Sequence, residues 1–231
     1  MRERYVIIPA GGSGRRMGGD IPKQMQELRG VPVLKRTLDL FLNLPFEVHV
    51  VIPINDSIKG MWTDYCRKHN VYLKYVLVTG GMTRFHSVRK ALRYVPDGVS
   101  VAVHDAVRPL AGPEWTAGLY EAAEEHPAVV PVLPVTDSMR TVSPDGVSSP
   151  VDRSAYRYVQ TPQVFHSEVL RKAYGSVAYS PAFTDDASVV ESSGVPLYLC
   201  EGDRYNIKLT TPEDMALARA LIDSGIVRTT L

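Results

Sequence analysis

The run Pro9-Ala-Gly-Gly-Ser-Gly-Arg-Arg-Met-Gly-Gly19 and the Asp20-Ile-Pro-Lys-Gln24 that follows it set glycines beside three cations, Arg15, Arg16 and Lys23. Glycine-rich backbone can turn its N–H groups toward an anion with no side chains in the way, which is how a phosphate is cradled. Two familiar phosphate loops fail on spacing. A Walker A loop needs Lys and then Ser or Thr after its last glycine, and Asp20 follows Gly19. The dinucleotide fingerprint needs glycine or alanine where Met17 stands, and its acidic residue falls well before Ile54-Asn-Asp56. The plainer alternative is a tight surface turn with solvated arginines. The cations, and the loop's place directly after an apolar strand, favour phosphate binding.

Val103-His-Asp-Ala-Val-Arg-Pro109 also follows an apolar strand. Asp105 and Arg108, three residues apart, suit a site for a hydroxylated, phosphorylated molecule, and suit equally a structural ion pair at a strand exit. Gly80-Gly81-Met-Thr-Arg84 precedes a helix with Ser87 one turn in, and taken alone reads as strand-to-helix turn chemistry. Thr184-Asp-Asp-Ala-Ser188 opens a helix with an ordinary capping pattern. Lys208, in Asn206-Ile-Lys208, taken alone reads as a solvated side chain, and Cys66 and Cys200 read as packing residues. The six histidines show no metal-ligand spacing, and only His104 falls beside a candidate site. With no Ser-His-Asp set, no cysteine nucleophile and no paired carboxylates, cations around a phosphate cradle point to phosphoryl or nucleotidyl transfer. There a protein mostly positions reactants and neutralises charge.

Short β-branched runs that would place these loops alternate with segments of helical spacing. Strands are expected at Val6–Pro9, Val48–Ile54, Leu73–Val78, Val99–Val103, Val129–Val135 and Leu197–Cys200. Helices are expected at Val33–Leu44, Ile58–His69, Thr83–Val95, Glu114–Glu125, Ser167–Tyr179, Thr184–Ser193 and Pro212–Ser224, the last capped by Thr211. This rhythm predicts an α/β, doubly wound, mostly parallel sheet with helices on both faces and ligands at the strands' carboxyl ends. Residues 1–231 are read as a single domain, with 136–160 a protruding β-arm that turns at Ser143-Pro-Asp-Gly146 and packs on a second subunit. Lys and Arg number 26 against 25 Asp and Glu, so a net charge of +1 advertises neither nucleic acid nor an anionic membrane. Two cysteines and no signal-peptide pattern read as a cytoplasmic protein.

The glycine loop with Pro22-Lys23-Gln24, then Gly80-Gly81, His104-Asp-Ala-Val-Arg-Pro109, Val151-Asp-Arg153, Thr161-Pro-Gln163, Thr184-Asp-Asp-Ala-Ser188 and Asn206-Ile-Lys208 occur in one order along the chain. That ordered set, spanning Tyr5 to about Ala220, resembles the 2-C-methyl-D-erythritol 4-phosphate cytidylyltransferases of the non-mevalonate isoprenoid route. The resemblance implies a Rossmann-like nucleotidyltransferase fold and the reaction of CTP with 2-C-methyl-D-erythritol 4-phosphate to give the CDP-linked product and pyrophosphate. The acceptor phosphate would attack the α-phosphorus directly, with Mg²⁺ bound mainly through the CTP phosphates. By the same resemblance, Arg16 and Lys23 stabilise charge on the reacting phosphates, and Arg153 and Lys208 hold the acceptor, whose pocket Asp105, Arg108 and Ser138 line. Ala10, Gly11, Gly12, Gly81, Met82 and Ser87 receive cytidine, and Gly14 and Ala106 complete the substrate-binding set. A homodimer paired through the arm would carry Arg153 into the partner's site. Met82 stands where the family often has aspartate, Ser138 where threonine is commoner, and Val107 where alanine is frequent. The Val107 variant also occurs in ribitol 5-phosphate cytidylyltransferases, so ribitol 5-phosphate is the rival acceptor. A CTP-binding module without catalysis is the rival of another class.

Overall fold

Successive residues of the first strand face opposite ways: Val6 enters one buried cluster, and Tyr5 and Ile7 pack in another, as the two-residue period of a strand requires. The structure, a computed structural model, describes residues 2–12 and 21–227. Strand β1 (Arg4–Ile7) is followed by a short hairpin, β2 (Glu27–Leu28) and β3 (Val31–Pro32), and by helix α1 (Val33–Leu42). Next come β4 (His49–Ile54), α2 (Asp56–Lys68), β5 (Val76–Thr79), α3 (Arg84–Ala91), β6 (Ser100–Val103) and α4 (Pro113–Ala122). The second half holds β7 (Ala128–Pro134), β8 (Met139–Val142), β9 (Ser148–Val151), β10 (Arg157–Val159) and β11 (Gln163–His166). It closes with α5 (Ser167–Ser176), α6 (Asp186–Ser192), β12 (Tyr198–Glu201) and α7 (Pro212–Asp223).

β1 pairs in parallel with β4 on one side and β6 on the other, and β4 with β5. The chain therefore winds outward from β1 in one direction and then crosses to the other, and the order reverses between β1 and β6. That reversal opens a crevice beyond the strands' carboxyl ends, where α/β sheets bind ligands. Helices α1, α2 and α4 supply Leu34, Trp62 and Tyr120 to the core on one face. Helices α3, α5 and α6 supply Phe85, Leu170 and Val189 on the other. A smaller cluster gathers Met215 and Ala218 of α7 around Leu28 and Leu110. Thr211 caps α7 in a reciprocal box with Asp214.

The doubly wound expectation holds, with an addition over residues 157–166, where no strand was expected. β11 runs antiparallel between β6 and β7, β10 continues along the same edge of β7, and β12 lies parallel on the other edge. At the sheet's opposite end β5 starts only at Val76, three residues later than the apolar run from Leu73 implied, and Tyr72 is exposed. Within residues 136–160 β8 and β9 form a hairpin whose turn is closed by Gly146 at φ +84°, while Arg157–Val159 of the expected arm belong to the main sheet as β10. Among the described residues no helix is long and apolar enough to cross a membrane.

Candidate active site

Loops leaving β1, β4, β5 and β6 border a cleft of about 420 Å³ at the switch point. Gly11 and Gly12 enter it from β1, Asn55 from β4, Gly81 to Arg84 from β5, and Asp105 to Val107 from β6, with Lys23, Gln24, Ser87 and Lys208 completing the wall. Side chains pin the loops. Asn55 Nδ2 donates to the Gly11 carbonyl, and Gln24 Nε2 donates to that of Gly12 at 3.1 Å. A Cβ on Gly11 would lie 2.9 Å from Asn55 Oδ1, so this close approach admits only glycine without a shift. On the opposite wall the Gly81 N–H donates to Ser87 Oγ at 2.9 Å, and that hydroxyl donates to the Thr83 carbonyl at 3.0 Å. Thr83 caps α3.

The floor is a carboxylate held by cations. Asp105 receives the Lys208 Nζ at 2.8 Å, the Arg84 Nε at 3.4 Å and the Arg108 Nε at 3.4 Å. Burial raises the pKa of Asp105, but the charges of Arg84, Lys208 and Arg108 outweigh it and hold the group well below the usual carboxylate range. Burial lowers that of Arg84, and Asp186 and Asp105 together more than reverse the effect. Neighbouring His104 has no exposed surface, and burial pushes its pKa down to about 4.

Sequence expectations meet this geometry unevenly. Gly11, Gly12, Lys23, Gly81, Met82, Ser87, Asp105, Ala106 and Lys208 all border the cleft. Lys208, a solvated lysine when read alone, is paired with Asp105. Ala10 is fully buried, with its N–H given to the Pro53 carbonyl at 2.8 Å. Arg108 makes the structural pair with Asp105, gives Nη1 to the Asn206 carbonyl at 2.7 Å and does not border the cleft. Ser138 and Arg153 lie on exposed arm segments, where Arg153 Nη1 donates to the Thr136 carbonyl, and neither reaches its own chain's cleft. Arg16 and Gly14 lie outside the described residues.

The donor set bears on magnesium. Among the described residues Asp105 is the sole acidic one bordering the cleft, its oxygens already facing three cations, and these residues hold no cluster of three His, Cys, Asp or Glu. Mg²⁺ commonly keeps waters and substrate phosphates as ligands instead of taking an all-protein cage. These residues therefore fit an ion that arrives on a triphosphate.

Residues 5–224 match the family IspD, 2-C-methyl-D-erythritol 4-phosphate cytidylyltransferase. The chain belongs to that family. It is 47% identical over 219 residues to the 2-C-methyl-D-erythritol 4-phosphate cytidylyltransferase of Phocaeicola vulgatus, covering 95% of this chain and 99% of that protein. The Porphyromonas gingivalis enzyme of the same name is 47% identical over 224 residues, with 96% and 99% covered. The crystal structure of the Thermus thermophilus enzyme superposes with a TM-score of 0.76 at 33% identity, over 96% of this chain and 99% of that one. This cytidylyltransferase chain also brings Asn55, Gln24 and Arg84 to the cleft, three residues that motif reading did not assign to the site. Asn55 had one legible signal: it directly follows β4, where the strand-end rule places ligand contacts.

Proposed function

We propose that this chain transfers the cytidylyl group of CTP to 2-C-methyl-D-erythritol 4-phosphate and releases pyrophosphate. The observation that carries the mechanism is a cationic cleft whose described residues leave no base to spare. Among them the one bordering carboxylate is bound to cations, and the adjacent histidine is buried, neutral and hydrogen-bonded through both ring nitrogens. Such a site cannot readily deprotonate a hydroxyl or supply a protein nucleophile. A phosphate acceptor needs neither, since its oxygen is already an anion and attacks the α-phosphorus in line once repulsion between phosphates is relieved.

Each group then has a task. Backbone from Gly11 and Gly12 cradles the triphosphate, and Lys23, with Arg16, meets the charge that grows on the α-phosphate and the departing pyrophosphate. Lys208 and Asp105 face the acceptor: the ammonium takes its phosphate and the carboxylate a hydroxyl. Bound Mg²⁺ adds neutralisation on the triphosphate oxygens.

Purified protein is supplied with CTP, Mg²⁺ and either 2-C-methyl-D-erythritol 4-phosphate or ribitol 5-phosphate, and pyrophosphate release is followed beside ³¹P spectra of the diphosphate product. The expected kcat/KM is higher with the methylerythritol phosphate, and pyrophosphate release depends on the acceptor. Preference for ribitol 5-phosphate would reassign the acceptor, and CTP binding without turnover would leave only a binding module. In the same assay Lys23→Ala lowers kcat by about 100-fold, the scale of losing one donor aimed at developing charge, with a smaller change in the KM for CTP.

A further inference from the structure

Behind the cleft wall a buried chain of contacts runs from α5 to the floor. Asp186, with no exposed surface, accepts the Tyr174 hydroxyl at 2.6 Å on one oxygen and faces Arg84 Nη2 at 2.5 Å with the other. Arg84 in turn places Nε 3.4 Å from Asp105. Capping does not explain an acid at 186, because Asp185 already caps α6 by accepting the Ser188 N–H at 2.9 Å. The start of this helix is held in place from β11. Gln163 Nε2 donates to Asp185 at 2.8 Å, and Gln163 Oε1 accepts the Ala187 N–H at 2.8 Å. Tyr174 is fixed as well, stacked 4.7 Å from Phe85, the residue after Arg84.

Charge explains what this anchoring does. Arg84, Arg108 and Lys208 face two carboxylates, Asp105 and Asp186. A guanidinium with one carboxylate in reach tends to close a two-pronged pair with it. Arg84 instead shares itself between an acid behind the wall and an acid in front of it. We propose that Asp186 and Tyr174 are positioning residues for the transfer: they draw Arg84 back, so that Asp105 keeps an oxygen for Lys208 and for the acceptor's hydroxyl.

The inference rests on the proposed function, because its readout is acceptor use. Asp186→Asn keeps shape and removes the charge, and Tyr174→Phe keeps the stacked ring and removes the hydroxyl. Both variants, Arg84→Gln, and Asp186→Asn combined with Arg84→Gln are assayed for acceptor KM, CTP KM and kcat, with folding checked by thermal melting. Asp186→Asn is expected to raise acceptor KM about tenfold with kcat within about threefold, a size typical of coupling between contacting residues. Tyr174→Phe shifts it the same way by less, and carries the test if Asp186→Asn does not fold. In the Arg84→Gln background the Asp186→Asn effect disappears, which a purely structural role would not produce. Unchanged acceptor KM in a folded variant, or an equal rise in both backgrounds, overturns the inference alone. A wild-type enzyme that does not consume the polyol phosphate overturns the proposed function and this inference with it.

Discussion

Burial keeps His104 neutral, and the cost of that neutrality appears as acid sensitivity. Its Nε2 lies 3.0 Å from the Arg108 carbonyl, which can only accept, so the proton sits on Nε2. Nδ1 then accepts from the Thr161 hydroxyl at 3.3 Å, and the hydroxyl oxygen accepts the Asp105 N–H at 3.0 Å. One relay thus fixes the backbone that carries the site's carboxylate. With the folded pKa depressed to about 4 from an ordinary 6.5, the unfolded chain binds a proton that the native state refuses between those values. Stability from this group is complete above about pH 6.5 and falls as pH drops toward 4, by roughly 3 kcal/mol over the whole interval. Urea unfolding at pH 7 and pH 4.5 is expected to show a larger acid loss for the wild type than for His104→Gln, and equal losses would refute this account. At this scale the sequence was legible where chemistry clusters along the chain, as at His104 to Arg108. Arg84 was not legible as a site residue, because its partner Asp186 is far downstream and only the packing of α5 and α6 beside α3 joins them.

Elements decide how closely a backbone can approach a ligand, and the turn between β5 and α3 is the tightest case bordering the cleft. A Cβ added at Gly81 would lie 2.4 Å from His86 Cβ and 2.9 Å from the Ser87 nitrogen. Backbone of α3 cannot yield cheaply, since the Thr83 cap and the Ser87 hydroxyl tie the helix start to the turn. Gly81→Ala is therefore expected to displace residues 81–84 and raise the CTP dissociation constant at least tenfold, with a destabilisation of about 1–3 kcal/mol. Calorimetric titration with CTP and a urea melt check both, and unchanged affinity would place the nucleotide elsewhere. Elements with strong periodicity, such as α1 and β4, were readable within about two residues of their ends. β10 and β11 were not, because Gln160, Pro162 and Gln163 interrupt the apolar run. Gln163 is fully buried for a reason no local pattern contains: both ends of its amide hold the start of α6.

For the molecule as a whole the decisive feature is the arm. Among the described residues β8 and β9 pair only with each other, almost every residue from Asp137 to Ser149 is exposed, and Val142 and Val147 expose 67% and 65% of their surface. A two-stranded ribbon is marginal in water without a surface to pack on. The following strand β10, at the edge of the main sheet, also exposes Tyr158 and Val159. We propose that a second copy of the chain covers the arm, under the two-fold symmetry most homodimers adopt. Such a dimer would let the arm carry Arg153, which does not border its own chain's cleft, to the neighbour's site. Complementation between two inactive variants tests this. Arg153→Ala and Lys23→Ala each leave a homodimer with two defective sites, yet a mixed dimer joins an intact Lys23 from one chain with an intact Arg153 from the other at one of its sites. After subunit exchange at equal concentrations half the dimers are mixed, so activity is expected to recover to about a quarter of the wild-type level. Exchange is verified by two affinity tags. A mixture that exchanges fully and stays inactive would mean that each site is built from a single chain, and the arm would then owe its exposure to something other than catalysis.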